Sequence, residues 1–164
     1  MKTIIFNNEI NLENINDLIQ QIDTTDDICT VYFSGYGYDY NARNILIDYL
    51  SIMSAFKTIV LKAFNKIENT AFEIFYKCSL RPDCKIILPN TIGKISKYEY
   101  DLSSFEDRNI KNEIDKENKE LMVWYSKTSP SQKQLKELKT GVYYEYTELQ
   151  TILENYRDQI EISL

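Results

Sequence analysis

The chain has 164 residues, 19 Lys and Arg against 25 Asp and Glu, a formal net charge of -6 and no histidine. An acidic balance of this size argues against non-specific nucleic-acid binding and against a polybasic membrane anchor. Without histidine there is no Ser-His-Asp or Cys-His relay, no imidazole general base and no zinc site built on His.

The length fits one domain, residues 1–164, and 43% hydrophobic residues suffice for an ordinary core. Cys29, Cys78 and Cys84 are an odd set with no Cys-x-x-Cys spacing. Cys29 and Cys78 lie in apolar runs, where a free thiol acts as a small hydrophobe. Cys78 and Cys84 could pair in an oxidising compartment, but the pattern favours a reduced, intracellular chain. Met1–Asn8 lacks the basic end and apolar segment of a signal peptide. No run approaches the roughly 20 apolar residues that span a bilayer. The expectation is a soluble, cytoplasmic protein.

In chain order, Thr3–Phe6 is a short β-branched strand. Leu12, Ile15, Leu18, Ile19 and Ile22 recur at helical spacing, and Asp23–Asp27 ends that helix. Ile28–Phe33 reads as a buried strand broken by Ser34-Gly35-Tyr36-Gly37. Ala42–Met53 is a second helix and Thr58–Ala63 a third strand. Asn69–Cys78 suits a mostly buried helix, and Lys85–Leu88 is a strand stopped by Pro89-Asn90. Asp101–Tyr125 reads as a long charged helix, followed by helices at Ser131–Leu138 and Glu145–Tyr156. Strands alternating with helices up to Leu88 predict βαβ crossovers and a mainly parallel sheet. The later half is expected to be almost entirely helical. No P-loop, Rossmann glycine fingerprint or EF-hand pattern occurs, so no nucleotide, calcium or other cofactor is expected.

Three stretches resemble the Clp-type (caseinolytic) serine peptidase subunits and the wider crotonase-like fold. Val31-Tyr32-Phe33-Ser34-Gly35-Tyr36-Gly37 followed by a helix is similar to that family's Ser-Pro-Gly-Gly turn. Asn69-Thr70-Ala71-Phe72-Glu73-Ile74-Phe75 stands where the family's nucleophile begins a buried helix. Leu88-Pro89-Asn90-Thr91-Ile92-Gly93-Lys94-Ile95-Ser96 resembles its Leu-Pro-Asn-Ser segment running into Ile-His. The resemblance covers about residues 3 to 155 and rests on the order and spacing of the three stretches. It implies an α/β, ClpP/crotonase-like fold with repeated β-β-α and βαβ units, a mostly parallel sheet and a helical C-terminal half. It also implies that the charged region 101–125 is the handle used in assembly.

Carried over residue by residue, the resemblance places Thr70 at the nucleophile position, or Asn69 if the register shifts by one. It places Ser96 at the histidine position and Gly141 at the aspartate position. All three relay members are therefore absent. Of the oxyanion loop only Gly37 remains, between Tyr36 and Tyr38, with Ala71 after the nucleophile position. A hydroxyl needs a base within about 2.6–3.2 Å that titrates near the working pH. Ser96 cannot serve. The implied protein is a degenerate, catalytically inactive member of the family.

Two readings stand beside each other at several residues. Thr70 could be a nucleophile with Lys66, one helical turn earlier, or Lys94 or Lys97 as base; alternatively it caps the helix while the lysines are solvated. Glu68 and Glu73 could form a rebuilt acid/base site, with burial raising the Glu73 pKa, or Glu73 faces solvent or an interface. Of 13 tyrosines, Tyr36, Tyr38 and Tyr40 alternate in the turn, Tyr98 and Tyr100 follow Ser96, and Tyr143, Tyr144 and Tyr146 precede the last helix. They either surround the former site as a peptide cleft or subunit contact, or pack ordinarily at strand ends. The mixed charges from Glu106 to Glu120 suit a solvated helix or, by resemblance, the handle. The resulting expectation is a homo-oligomer, with a ring as one form, that binds a peptide or protein partner, without metal, nucleic acid or membrane. An active hydrolase or lyase with a rebuilt site is the alternative.

Overall fold

Period-two apolar alternation over three successive runs builds the central sheet in the computed structural model, which describes residues 2–99 and 108–163. The first unit holds residues 1–94 and 143–150, the second 95–142 and 151–164. In the first, β1 (Lys2–Glu9), β2 (Ile28–Tyr36) and β3 (Thr58–Glu68) run parallel. Their connections are α1 (Leu12–Asp23) and α2 (Tyr40–Met53). Then come α3 (Thr70–Lys77), a 3-10 turn (Pro82–Cys84), β4 (Lys85–Ile87) and β5 (Ile92–Ile95). Both β4 and β5 pair in parallel with β3. The order across the sheet is β1-β2-β3-β5-β6, with β6 spanning Val142–Tyr144 and β4 beside β3 off that path.

Residues of one parity face the helices. Ile4, Phe6, Cys29, Val31, Phe33, Ile59, Leu61, Ala63 and Ile67 are buried there, as are Ile15, Leu18, Leu46, Ala71 and Phe72 on the helices. Phe6 and Phe33 stack with ring centroids 5.5 Å apart. The first turns of α1 and α2 are closed by side chains, which satisfy orphan N–H groups there. Asn11 accepts from the Asn14 N–H and Asp39 from the Ala42 N–H. Lys57 Nζ donates to the carbonyls of Ile22 and Asp23 at the end of α1 and of Thr25 just past it. Cys29, Cys78 and Cys84 are free and buried, and burial pushes the Cys29 and Cys78 thiols up.

The second unit contains α4 (Arg108–Ser126), α5 (Gln132–Glu137) and all but the first turn of α6 (Tyr146–Ser163). Ile114, Leu121, Trp124, Tyr125, Leu138, Ile152, Leu153 and Tyr156 are buried, and Trp124 packs on Tyr156 with centroids 5.8 Å apart. Asn118 replaces a strand partner for Tyr98, accepting from its N–H at 2.8 Å and donating to its carbonyl at 2.9 Å. Ser131 and Gln134 form a reciprocal capping box at α5.

Several predicted boundaries move. Ser34-Gly35-Tyr36 does not break β2, because β1 pairs with it as far as Tyr36 and the Ile10 N–H donates to the Tyr36 carbonyl. The third strand continues past Ala63 to Glu68 through a bulge at Asn65, whose φ is 56°. The later half is not almost entirely helical: β5 and β6, three or four residues each, extend the sheet, too short for alternation to reveal them. Of the handle-like region 101–125, residues 101–107 lie outside the described residues, as does Tyr100; from Arg108 the helix is present. Among the described residues no helix is long and apolar enough to cross a membrane.

Candidate functional site

The chain turns sharply from β3 into α3 at Asn69, which has φ 56° and ψ -112°. A non-glycine residue in that conformation carries strain of about 1–3 kcal/mol and persists only where its surroundings hold it. Here the Asn69 N–H donates to the Lys94 carbonyl at 2.8 Å, and its carbonyl accepts from the Glu73 N–H at 3.0 Å. A strained strand-to-helix turn is the geometry by which a nucleophile elbow presents its side chain. The residue at this turn is Asn69, and Thr70 follows it as the first residue of the helix.

Thr70 is the first helical residue rather than the cap, so the capping expectation is corrected. Its hydroxyl donates to the Gly37 carbonyl at 2.9 Å and its N–H donates to the same oxygen at 3.0 Å. Thr70 and Ala71 are fully buried. In an elbow, the N–H after the nucleophile serves the oxyanion hole; at this turn that N–H points to a carbonyl of the protein itself. Tyr36 and Tyr38, on either side of Gly37, are 43% and 50% exposed.

Lys66 lies on β3, not one helical turn before Thr70, and its Nζ stands 4.7 Å from the centroid of Tyr36. Lys94, on β5, stands 5.5 Å from that of Tyr143. Glu68 is half-buried at the end of β3, in register with Lys94.

Glu73 does not face solvent. Only 2% exposed, it forms an ion pair with Arg43, also 2% exposed, with Nη1 and Oε2 3.1 Å apart. Arg43 Nε and Nη2 both donate to Asn44 Oδ1, at 3.0 and 2.8 Å. Burying two charges is costly, and their attraction with further hydrogen bonds offsets much of that cost. Arg43 escaped the sequence reading although a signal existed. It falls on the Leu46–Leu50 stripe of α2, where a charge demands a partner, and Glu73 is the charged residue within the buried stretch Thr70–Tyr76 of α3.

Ser96 and Gly141 belong to the second unit. Ser96 is buried, and Gly141, at φ 130°, closes the turn after α5 by donating its N–H to the Glu137 carbonyl at 2.7 Å. That backbone suits glycine and strains an aspartate. Among the described residues no cluster of His, Cys, Asp and Glu could hold a metal ion.

No protein-family model and no curated protein matches the chain. The architecture is that of an α/β, crotonase-like fold with a mostly parallel sheet. Among solved structures it is similar to a point mutant of ClpP1 from Listeria monocytogenes. The TM-score is 0.72 and the identity 17%, over 92% of this chain and 86% of that one. The fold is ClpP-like.

Proposed function

We propose that the chain is a catalytically inactive relative of the Clp-type peptidases that acts by self-association or by binding a peptide or protein partner. The observation that carries this reading is Asn69 at the elbow, with both donors of Thr70 directed at the Gly37 carbonyl. An amide side chain is neither a nucleophile nor a base at neutral pH, and no histidine exists to activate a neighbour. In this reading residues 1–164 are one ClpP-like domain whose 101–125 segment serves as the handle, in a cytoplasmic protein without a cofactor.

The test is turnover of casein and of fluorogenic peptides by the purified chain, with its solution mass followed by light scattering. Expected are no turnover above buffer and a mass that is a multiple of 19.4 kDa. Turnover that disappears in Thr70→Val or Glu73→Gln would overturn the reading in favour of a rebuilt hydrolase or lyase site. Inactivity in a chain that stays monomeric leaves partner binding as the role.

A further inference from the structure

Right-handed crossovers between neighbouring parallel strands place α1, α2 and α3 on one side of the sheet, and α1 packs on α2 and α2 on α3. Parallel sheets are ordinarily covered on both faces. On the face away from these helices, register aligns Ile5, Tyr32, Lys62 and Ile86 across four strands. Further along the same face Lys66 pairs with Ile92, and Glu68 with Lys94. Ile5 is 70% exposed, Ile92 52% and Tyr143 64%.

This face repeats one arrangement. Lys62 stands 5.4 Å from the Tyr32 centroid, Lys66 4.7 Å from that of Tyr36 and Lys94 5.5 Å from that of Tyr143. Each ring steadies a lysine stem while the ammonium keeps its hydrogen-bond donors. Among the described residues none of these lysines has a carboxylate oxygen within 4.0 Å. Carboxylates at the ends of these strands are Glu9 on β1, Glu68 on β3 and Glu145 after β6. In a chain of net charge -6, a line of unmatched cations interleaved with isoleucine is a local inversion of charge.

We propose that this face docks an extended acidic segment of a partner protein. Its carboxylates meet Lys62, Lys66 and Lys94, and its apolar side chains lie on Ile5, Tyr32, Ile86 and Ile92. The inference rests on the binding role above and names the chemistry of the partner. A nucleic acid fits less well: the net charge repels phosphate, each tyrosine face already carries a lysine, and exposed isoleucines offer nothing to bases.

The test uses the whole chain and a fluorescein-labelled peptide of alternating Glu and Leu, followed by anisotropy. Controls are the Lys-Leu and Gln-Leu counterparts and an oligothymidylate. Expected are binding of the Glu-Leu peptide alone, loss on raising salt from about 0.1 M to about 1 M, and roughly tenfold or greater weakening in Lys62→Glu/Lys66→Glu/Lys94→Glu. A melting curve and the single variant Lys62→Ala control for folding. The proposal is overturned if the chain ignores the peptide, if the charge-reversed variant binds it equally, or if oligothymidylate binds more tightly. A self-associated mass that falls to the monomer in the variant also overturns it, because a second copy then covers the face. Peptidase turnover on the same samples reads the proposed inactivity separately, so turnover with intact peptide binding sinks that reading alone.

Discussion

The two faces of β1, β2 and β3 use the same strands and alternate residues, yet do opposite things. On the helix side, Ile4, Val31 and Leu61 form a fully buried row. One residue along, Ile5, Tyr32 and Lys62 form a row that remains open or half-open. Side chains alternate with a period of two, so a single backbone carries a structural surface and a separate recognition surface without conflict. Substitutions can therefore be sorted by parity, with large stability costs on one face and effects on binding on the other.

The largest effect is expected beneath the helix face. Glu73→Leu leaves Arg43 charged and buried, and should destabilise the fold by about 3–5 kcal/mol in urea unfolding. The double variant Arg43→Met/Glu73→Leu should recover most of the loss; if it does not, the pair is more than an isolated ion pair. Leu61→Ala, in the buried row, should cost about 2–5 kcal/mol by the same measurement. Gly93→Ala comes next. A Cβ there would lie 2.5 Å from Leu149 Cδ2 and 3.2 Å from Phe72, so overpacking should cost about 1–3 kcal/mol. Asn69→Gly has the opposite sign: relief of the positive φ should stabilise the chain by about 1 kcal/mol, read as a raised melting temperature. Lys62→Ala, on the open face, should change stability by no more than about 0.5 kcal/mol. If Lys62→Ala costs as much as Leu61→Ala, the distinction between the two faces fails.

Much of the fold was legible because its signals are local. Ile28–Phe33, Thr58–Ala63 and the amphipathic run from Leu12 to Ile22 announce themselves through periodicity, and their order predicts a parallel sheet. The short strands β5 and β6 did not, since so few residues hold no period and their pairing is long-range. At the candidate site, the stretch Asn69–Phe75 was legible as a buried helix, but not which residue takes the turn. The choice between Asn69 and Thr70 depends on a positive φ held by Lys94, a residue distant in sequence. The Lys–Tyr pairs were likewise invisible, since Lys62 meets Tyr32 only through strand register.

Composition and pattern by themselves determined that this is an acidic α/β chain without histidine, and hence which relays it cannot build; those are properties of residue identity and local spacing. Tertiary structure alone decided that Glu73 is buried on Arg43, that Thr70 gives its donors to Gly37, and that three lysines share one open sheet face. Each of these depends on residues brought together from separate strands and helices, and no sequence period records that meeting.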